Sequence, residues 1–165
     1  MKKLVWLTIF CLLLSGCSST TFETMGPVHH VAQTEPAVKE ILLAFPQDAA
    51  VLTASGPDSI YTCGDFDLSL QVLPSGDIRS TVLRLCGYEP DRLTMLESAD
   101  GTVVRYDWSW TAAGENGDVI CRAAVLDDGN YHYSLCVSAD AALAGGLTEQ
   151  WNELFRSFSL SENAA

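Results

Sequence analysis

Along most of the chain the apolar positions keep either a two-residue or a 3.6-residue rhythm, and changes of rhythm mark the elements. The cleanest two-residue stretch is Phe66-Asp67-Leu68-Ser69-Leu70-Gln71-Val72, which predicts a strand with one buried and one wet face. Residues 102–110 alternate again, with Val104, Tyr106, Trp108 and Trp110 on one face. Val103, Arg105, Asp107 and Ser109 fall on the other, where Arg105 and Asp107 read as a solvated pair. Shorter strands are expected at 49–54 and 92–97, with turns at Gly56-Pro57-Asp58 and Ala99-Asp100-Gly101. Residues 119–126 and 130–138 form a hairpin about Asp128-Gly129, which suits a type I′ turn whose two central residues need positive φ.

Three stretches have helical spacing. The first covers 36–44, opened by Pro36 and stopped by Pro46, with Val38, Ile41, Leu42 and Phe45 toward the core. The second covers 76–86, capped by Ser75, with Ile78, Val82 and Leu85 on one side and Gly87 as a left-handed C-cap. The third covers 143–156, with Leu147, Trp151, Leu154 and Phe155 inward, followed by an edge strand at 158–160 and a frayed tail at 161–165. Helices flanking an antiparallel sheet make an α+β domain of two or three layers spanning 35–160.

The start of the chain follows a different logic. Met1-Lys2-Lys3 is basic, residues 4–14 are apolar save Thr8, and the run is too short for the roughly 20 residues of a membrane span. A basic start and a short apolar run form the pattern of a secretion signal. Behind it, Leu14-Ser15-Gly16-Cys17 resembles the lipobox of bacterial lipoproteins. That resemblance implies a signal peptide at 1–16, lipid on the thiol of Cys17, and a membrane as partner through that lipid. The product would be lipid-anchored outside the cytoplasm, on the outer membrane if the cell has two. Two or more acyl chains hold such a protein firmly. Residues 17–34, rich in Ser and Thr, read as a flexible tether.

Charge then narrows the partners. Loss of Lys2 and Lys3 leaves 7 basic residues against 21 acidic ones, a formal charge of −14, with Lys39 as the only lysine. Without clustered Lys and Arg, nucleic acid is not an expected partner. A protein or small-molecule partner stays unspecified.

Four cysteines lie in the domain: Cys63, Cys86, Cys121 and Cys136. An even number in an exported domain points to two disulfides, with four buried thiols as the rival reading. A two-residue turn at Asp128-Gly129 pairs Asp127 with Asn130 and sets Cys121 opposite Cys136, leaving Cys63 for Cys86.

No motif names a reaction, a metal or a cofactor. His132 shares a strand face with Ser134 and Cys136, but parallel side chains on one strand suit structure better than attack. The oxygens of Asp127-Asp128-Gly129-Asn130 are too few for calcium, and His29-His30 lacks further ligands. Trp108 and Trp110 with Tyr106 fit a sheet core or the lining of a groove.

In Tyr131-His132-Tyr133, Trp151 and Ser157-Phe158 the C-terminal half resembles the PsbP-like α/β sandwich. It is also similar to small lipoproteins of gut Firmicutes, and neither likeness brings functional residues with it. The expected function is a non-catalytic binding or scaffolding module of the cell envelope. The alternative is a carrier of a small ligand or envelope component in a sheet–helix cleft, and an enzyme is the third reading.

Overall fold

The computed structural model describes residues 36–55 and 58–164. The signal, the lipobox, the tether, Gly56 and Pro57 lie outside these residues. Nine strands run in the order β1 Lys39–Leu42, β2 Ala50–Ser55, β3 Asp58–Cys63, β4 Phe66–Pro74, β5 Leu96–Asp100, β6 Val103–Gly114, β7 Gly117–Asp127, β8 Tyr131–Asp140 and β9 Ser159–Ala164. Helix α1 (Ile78–Cys86) follows β4, while α2 (Ala141–Ala144) and α3 (Thr148–Ser157) lie between β8 and β9.

Seven strands form one antiparallel sheet in the order β2-β3-β4-β8-β7-β6-β5, and β1 pairs with β9 in a separate ribbon. The sheet separates two cores. One face packs Phe66, Leu68, Tyr133, Leu135 and Val137 against Leu147, Trp151, Leu154 and Phe155 around α3. The other packs Trp108, Ala123 and Val125 against Val82, Ile78 and Leu85 of α1. The α+β class holds, as a sheet sandwiched between helices.

Period-two stretches became strands and the two later helical patterns became helices, with local adjustments. Asp77, rather than Ser75, caps α1 by accepting from the Arg79 N–H at 3.0 Å. Gly87 takes the left-handed C-cap at φ 75°. The strand expected at 92–97 starts later, at Leu96, because Pro90–Arg92 closes a 3-10 turn.

Three expectations are overturned. Residues 39–42 form a strand, not part of a helix, because Lys39 and Ile41 are half-buried while Glu40 and Leu42 are exposed, a period of two. Val38 and Phe45, expected inward, are 39% and 43% exposed. The tail is not frayed through Ala164, since Leu42 pairs with Ser159, Ile41 with Leu160 and Lys39 with Ala164. The third is the register of the β7–β8 hairpin.

Asp127 pairs with His132 rather than Asn130. The Asp128 carboxylate accepts from the N–H groups of Asn130 and Tyr131 at 3.0 and 2.9 Å, and the Asp128 N–H donates to the Tyr131 carbonyl at 3.2 Å. Asp128 and Tyr131 therefore flank the turn, and Gly129-Asn130 forms its centre. Only Gly129, at φ 88°, has positive φ, the arrangement of a type II′ rather than a type I′ turn. A slip of two residues keeps every side chain on its expected face.

Candidate functional site

The register decides the cysteines first. All four are free thiols. Cys121 lies opposite Ser138 and Cys136 opposite Ala123, so the two are diagonal neighbours rather than a facing pair. Diagonal positions stand about 7–8 Å apart, beyond the usual Cα spacing of a disulfide. The expected Cys63–Cys86 bond fails for a different reason. Cys63 belongs to the α3-side core and Cys86 to the α1-side core, with the sheet between them. Burial, with Asp48 and Asp67 nearby, pushes the Cys63 thiol up to about 11. Burial likewise pushes Cys136 up to about 12 and raises Cys121. Thiols of this kind hold little reactive thiolate near neutrality.

His132 is fully buried against α1, its Nδ1 2.7 Å from Thr81 Oγ1 and its Nε2 3.4 Å from Asp127 Oδ2. Asp127 Oδ1 in turn accepts from Ser75 Oγ and the Gly129 N–H at 3.0 and 2.8 Å. A hydroxyl, an imidazole and a carboxylate in line resemble a catalytic relay in composition. Thr81, however, is 7% exposed and His132 0%, so no substrate reaches them. The cluster pins α1 and the β7–β8 turn together. Among the described residues, no group of three or more His, Cys, Asp or Glu could hold a metal.

Arg105 and Asp107 do pair, at 2.6 and 3.0 Å, but not as a solvated couple. The Arg105 guanidinium also donates to the carbonyls of Phe155 and Phe158 at 2.8 and 3.3 Å. It thus satisfies orphan carbonyls at the C-terminal end of α3. Arg122 stacks over the Phe155 ring at 4.1 Å and donates to Asn152 at 2.8 Å. These arginines fasten a helix.

An accessible, chemically varied surface lies on the other side, where β5 ends before β6 does. The last β5–β6 pair is Leu96 with Asp107, and β6 runs on to Gly114 without a paired strand on that edge among the described residues. The Tyr88 hydroxyl reaches across to donate to the Thr111 carbonyl at 3.2 Å. Tyr88, Arg92, Thr94, Ser109, Trp110 and Thr111 line a cleft of about 420 Å³, completed by Leu93. Trp110 and Tyr88 are half-buried, while Arg92, Thr94, Ser109 and Thr111 are exposed. The Arg92 guanidinium has no carboxylate partner among the described residues. A second cleft of about 430 Å³ lies round the same edge toward the α3 side, lined by Asp107, Arg122 and Leu96 with Thr94, Ser109 and Trp108. Trp108 is itself core, 3% exposed, and its ring stacks on that of Trp110 at 6.4 Å.

Trp110 was legible in the sequence as a groove candidate, whereas Arg92 and Tyr88 were not. They reach the cleft through the turn after α1, which carries no periodic signal. A different hollow, of about 360 Å³, lies between the sheet and the segment after α3, lined by Val103, Leu126, Phe158, Leu160, Arg105 and Arg156 among others.

No protein-family profile matches the chain, and neither does any curated protein. Among solved structures, cyanobacterial PsbP (CyanoP) from Synechocystis superposes with a TM-score of 0.55 at 13% identity, covering 82% of this chain and all (100%) of that one. The fold is PsbP-like. A Bacteroides thetaiotaomicron protein gives 0.52 at 9% identity over 76% of this chain and 46% of its own. LpqN, involved in cell envelope biogenesis of Mycobacterium tuberculosis, gives 0.49 at 12% identity, covering 78% of this chain and 87% of that one. At such identities the likeness establishes architecture alone. In the PsbP-like frame of this chain, the α3 side forms the larger core, and the aromatic cleft opens at the β6 edge.

Proposed function

We propose that this chain is a lipoprotein of the cell envelope, held outside the cytoplasm by lipid on Cys17. Its domain acts there as a non-catalytic binding module. The observation that carries the reading is the open cleft along β6, which joins two aromatic side chains, hydroxyls and an arginine, Arg92, that has no carboxylate partner among the described residues. Pockets that bind ligands combine aromatic lining with a few polar groups in this way. The non-catalytic part of the reading is supported by the burial of Thr81 and His132, which keeps that pair from any substrate. The acidic charge speaks against nucleic acid as a partner.

The carrier alternative is favoured by the hollow between the sheet and the segment after α3, where Val103, Leu126, Phe158 and Leu160 offer an apolar wall beside Arg156. Two experiments separate the readings. Labelled fatty acid should enter the wild-type protein and not Cys17→Ala, and continued labelling of the variant would refute the anchor. Crosslinking in the native membrane should capture a partner that Trp110→Ala loses. Capture that survives Trp110→Ala but fails in Leu126→Arg would favour the carrier.

A further inference from the structure

We infer that the unpaired length of β6 takes an extended segment of a partner protein as an added strand. Successive side chains of that segment fall into the clefts on the two faces of the edge. The inference rests on the binding-module reading and names its partner. The direction of the backbone comes first. In an antiparallel strand the N–H and C=O of one residue point to the same side, and those of its neighbours to the other. The Thr111 carbonyl accepts from the Tyr88 hydroxyl and so points away from β7. Ser109 and Ala113, two residues to either side, point the same way. Beyond Asp107 no strand pairs with β6 on that side among the described residues. Tyr88 already shows that a donor is accepted there, and an incoming strand meets the whole row with its own backbone groups.

The clefts supply the second observation. One, with Leu93 and Trp110, opens on the α1 side of the edge. The other, with Asp107 and Arg122, opens on the α3 side, where Arg122 stacks on Phe155. Thr94 and Ser109 line both. A strand sends successive side chains to opposite faces, so one laid along this edge fills the two clefts at once. A compact ligand would fill one and leave the other, with the backbone row, empty. From Ser109 to Ala113 the edge runs about 13 Å at roughly 3.3 Å per residue, which seats a segment of the same length.

Charge says whose segment it is. The edge ends at the β6–β7 turn, where Glu115 and Asp118 are exposed. A second copy would bring its own acidic surface to this place, and residues 17–34 carry Glu23 but no Lys or Arg. Charge complementarity thus favours another protein's segment, with Lys or Arg at the end that meets the turn. Laid antiparallel to β6, in line with β5, the segment has its N-terminal end there.

The full-length protein in detergent is screened against a library of acetylated octapeptides, and the tightest binder is measured by calorimetry. Lys or Arg should be enriched at its first positions, and Glu115→Lys with Asp118→Lys should turn that preference to acidic residues. The bound peptide should slow hydrogen exchange at the amides of Ser109, Thr111 and Ala113. Ala113→Pro removes one outward N–H and leaves the β7 ladder intact, so it should weaken binding at least ten-fold. Methylating the peptide's own amides at alternate residues tests the same pairing without altering the protein. One of the two alternating sets should abolish binding and the other spare it. No binder in the library, equal effects of the two sets, or binding indifferent to Ala113→Pro would overturn the inference. So would slow exchange at those three amides in the free protein, which would mark a second copy or residues 17–34 as the occupant. The module reading fails separately, when membrane crosslinking captures nothing that depends on Trp110.

Discussion

The two faces of the seven-stranded sheet are built from the same alternating strands, yet they end in different chemistry. On the α3 side the core is wide and aromatic, with Phe66, Tyr133, Trp151, Phe155 and Phe158 each 5% exposed or less. Two arginines seal its margin by gripping the end of the helix. On the α1 side a helix of nine residues covers a smaller patch. What it leaves uncovered is filled with polar groups, thiols and indoles, and beyond them the cleft opens. One face carries the longer helix and the larger core, with a hollow only at its margin. The other is covered by a shorter helix, and the cleft with Trp110 opens at its edge.

The comparison breaks most directly at the α3 core. Phe155→Ala should cost about 3–5 kcal/mol, measured by urea unfolding, because a fully buried ring leaves a cavity. A loss below about 1 kcal/mol would mean that this face is not the stabilising one. Arg105→Ala should cost about 2 kcal/mol, since two helix-end carbonyls and Asp107 lose a charged donor together. Thr81→Val on the other face should cost about 1 kcal/mol by stranding His132 Nδ1.

Smaller effects sharpen the contrast further. Burial alone would raise the Asp128 carboxyl, but the N–H groups of Tyr131 and Asn130, with Lys39, outweigh it and hold it below the usual range. Folding therefore favours the ionised form. Its contribution is present above the unfolded value near 3.9 and is lost as the pH falls through the folded one. Asp128→Asn should lower the melting temperature slightly at pH 7 and flatten its decline on acidification. An unchanged acid limb would count against the turn geometry. The smallest signal is in the thiols: mass spectrometry of the native protein after brief alkylation should find Cys86, half-buried at the end of α1, labelled before buried Cys63 and Cys121. A Cys121–Cys136 cystine would contradict the register.

How far the sequence spoke follows the same divide. The strand at 66–72 and the one beginning near 102 were legible because each has one side facing a core, so alternation was written into every second residue. The helix after β8 was legible through Leu147, Trp151, Leu154 and Phe155, all of which are buried. Strand β1 was misread because Val38, Ile41, Leu42 and Phe45 fall at helical spacing by accident, and its partner lies more than a hundred residues away. Strand β3 was missed since most of Asp58–Cys63 is half-buried on both sides and shows no clear rhythm. The hairpin register turned on a side chain, the Asp128 carboxylate, that composition alone does not place. The cleft was barely legible: Trp110 stood with Trp108 and Tyr106 in a stripe that reads first as sheet core, which all three join, while Arg92 and Tyr88 depended on a turn.

The ribbon of β1 and β9 also decides how the domain bears load. A pull delivered at Pro36 meets a clasp before it meets the sheet. The Tyr131 hydroxyl donates to the Pro36 carbonyl at 2.9 Å, the Lys39 N–H donates to the Tyr133 hydroxyl at 2.9 Å, and Lys39 Nζ stands 3.4 Å from Asp128. All three grips belong to β8 or the turn before it, and β8 is the middle strand of the seven. Force entering from the N-terminal side is thus handed straight to the centre of the sheet and not to an edge that could peel.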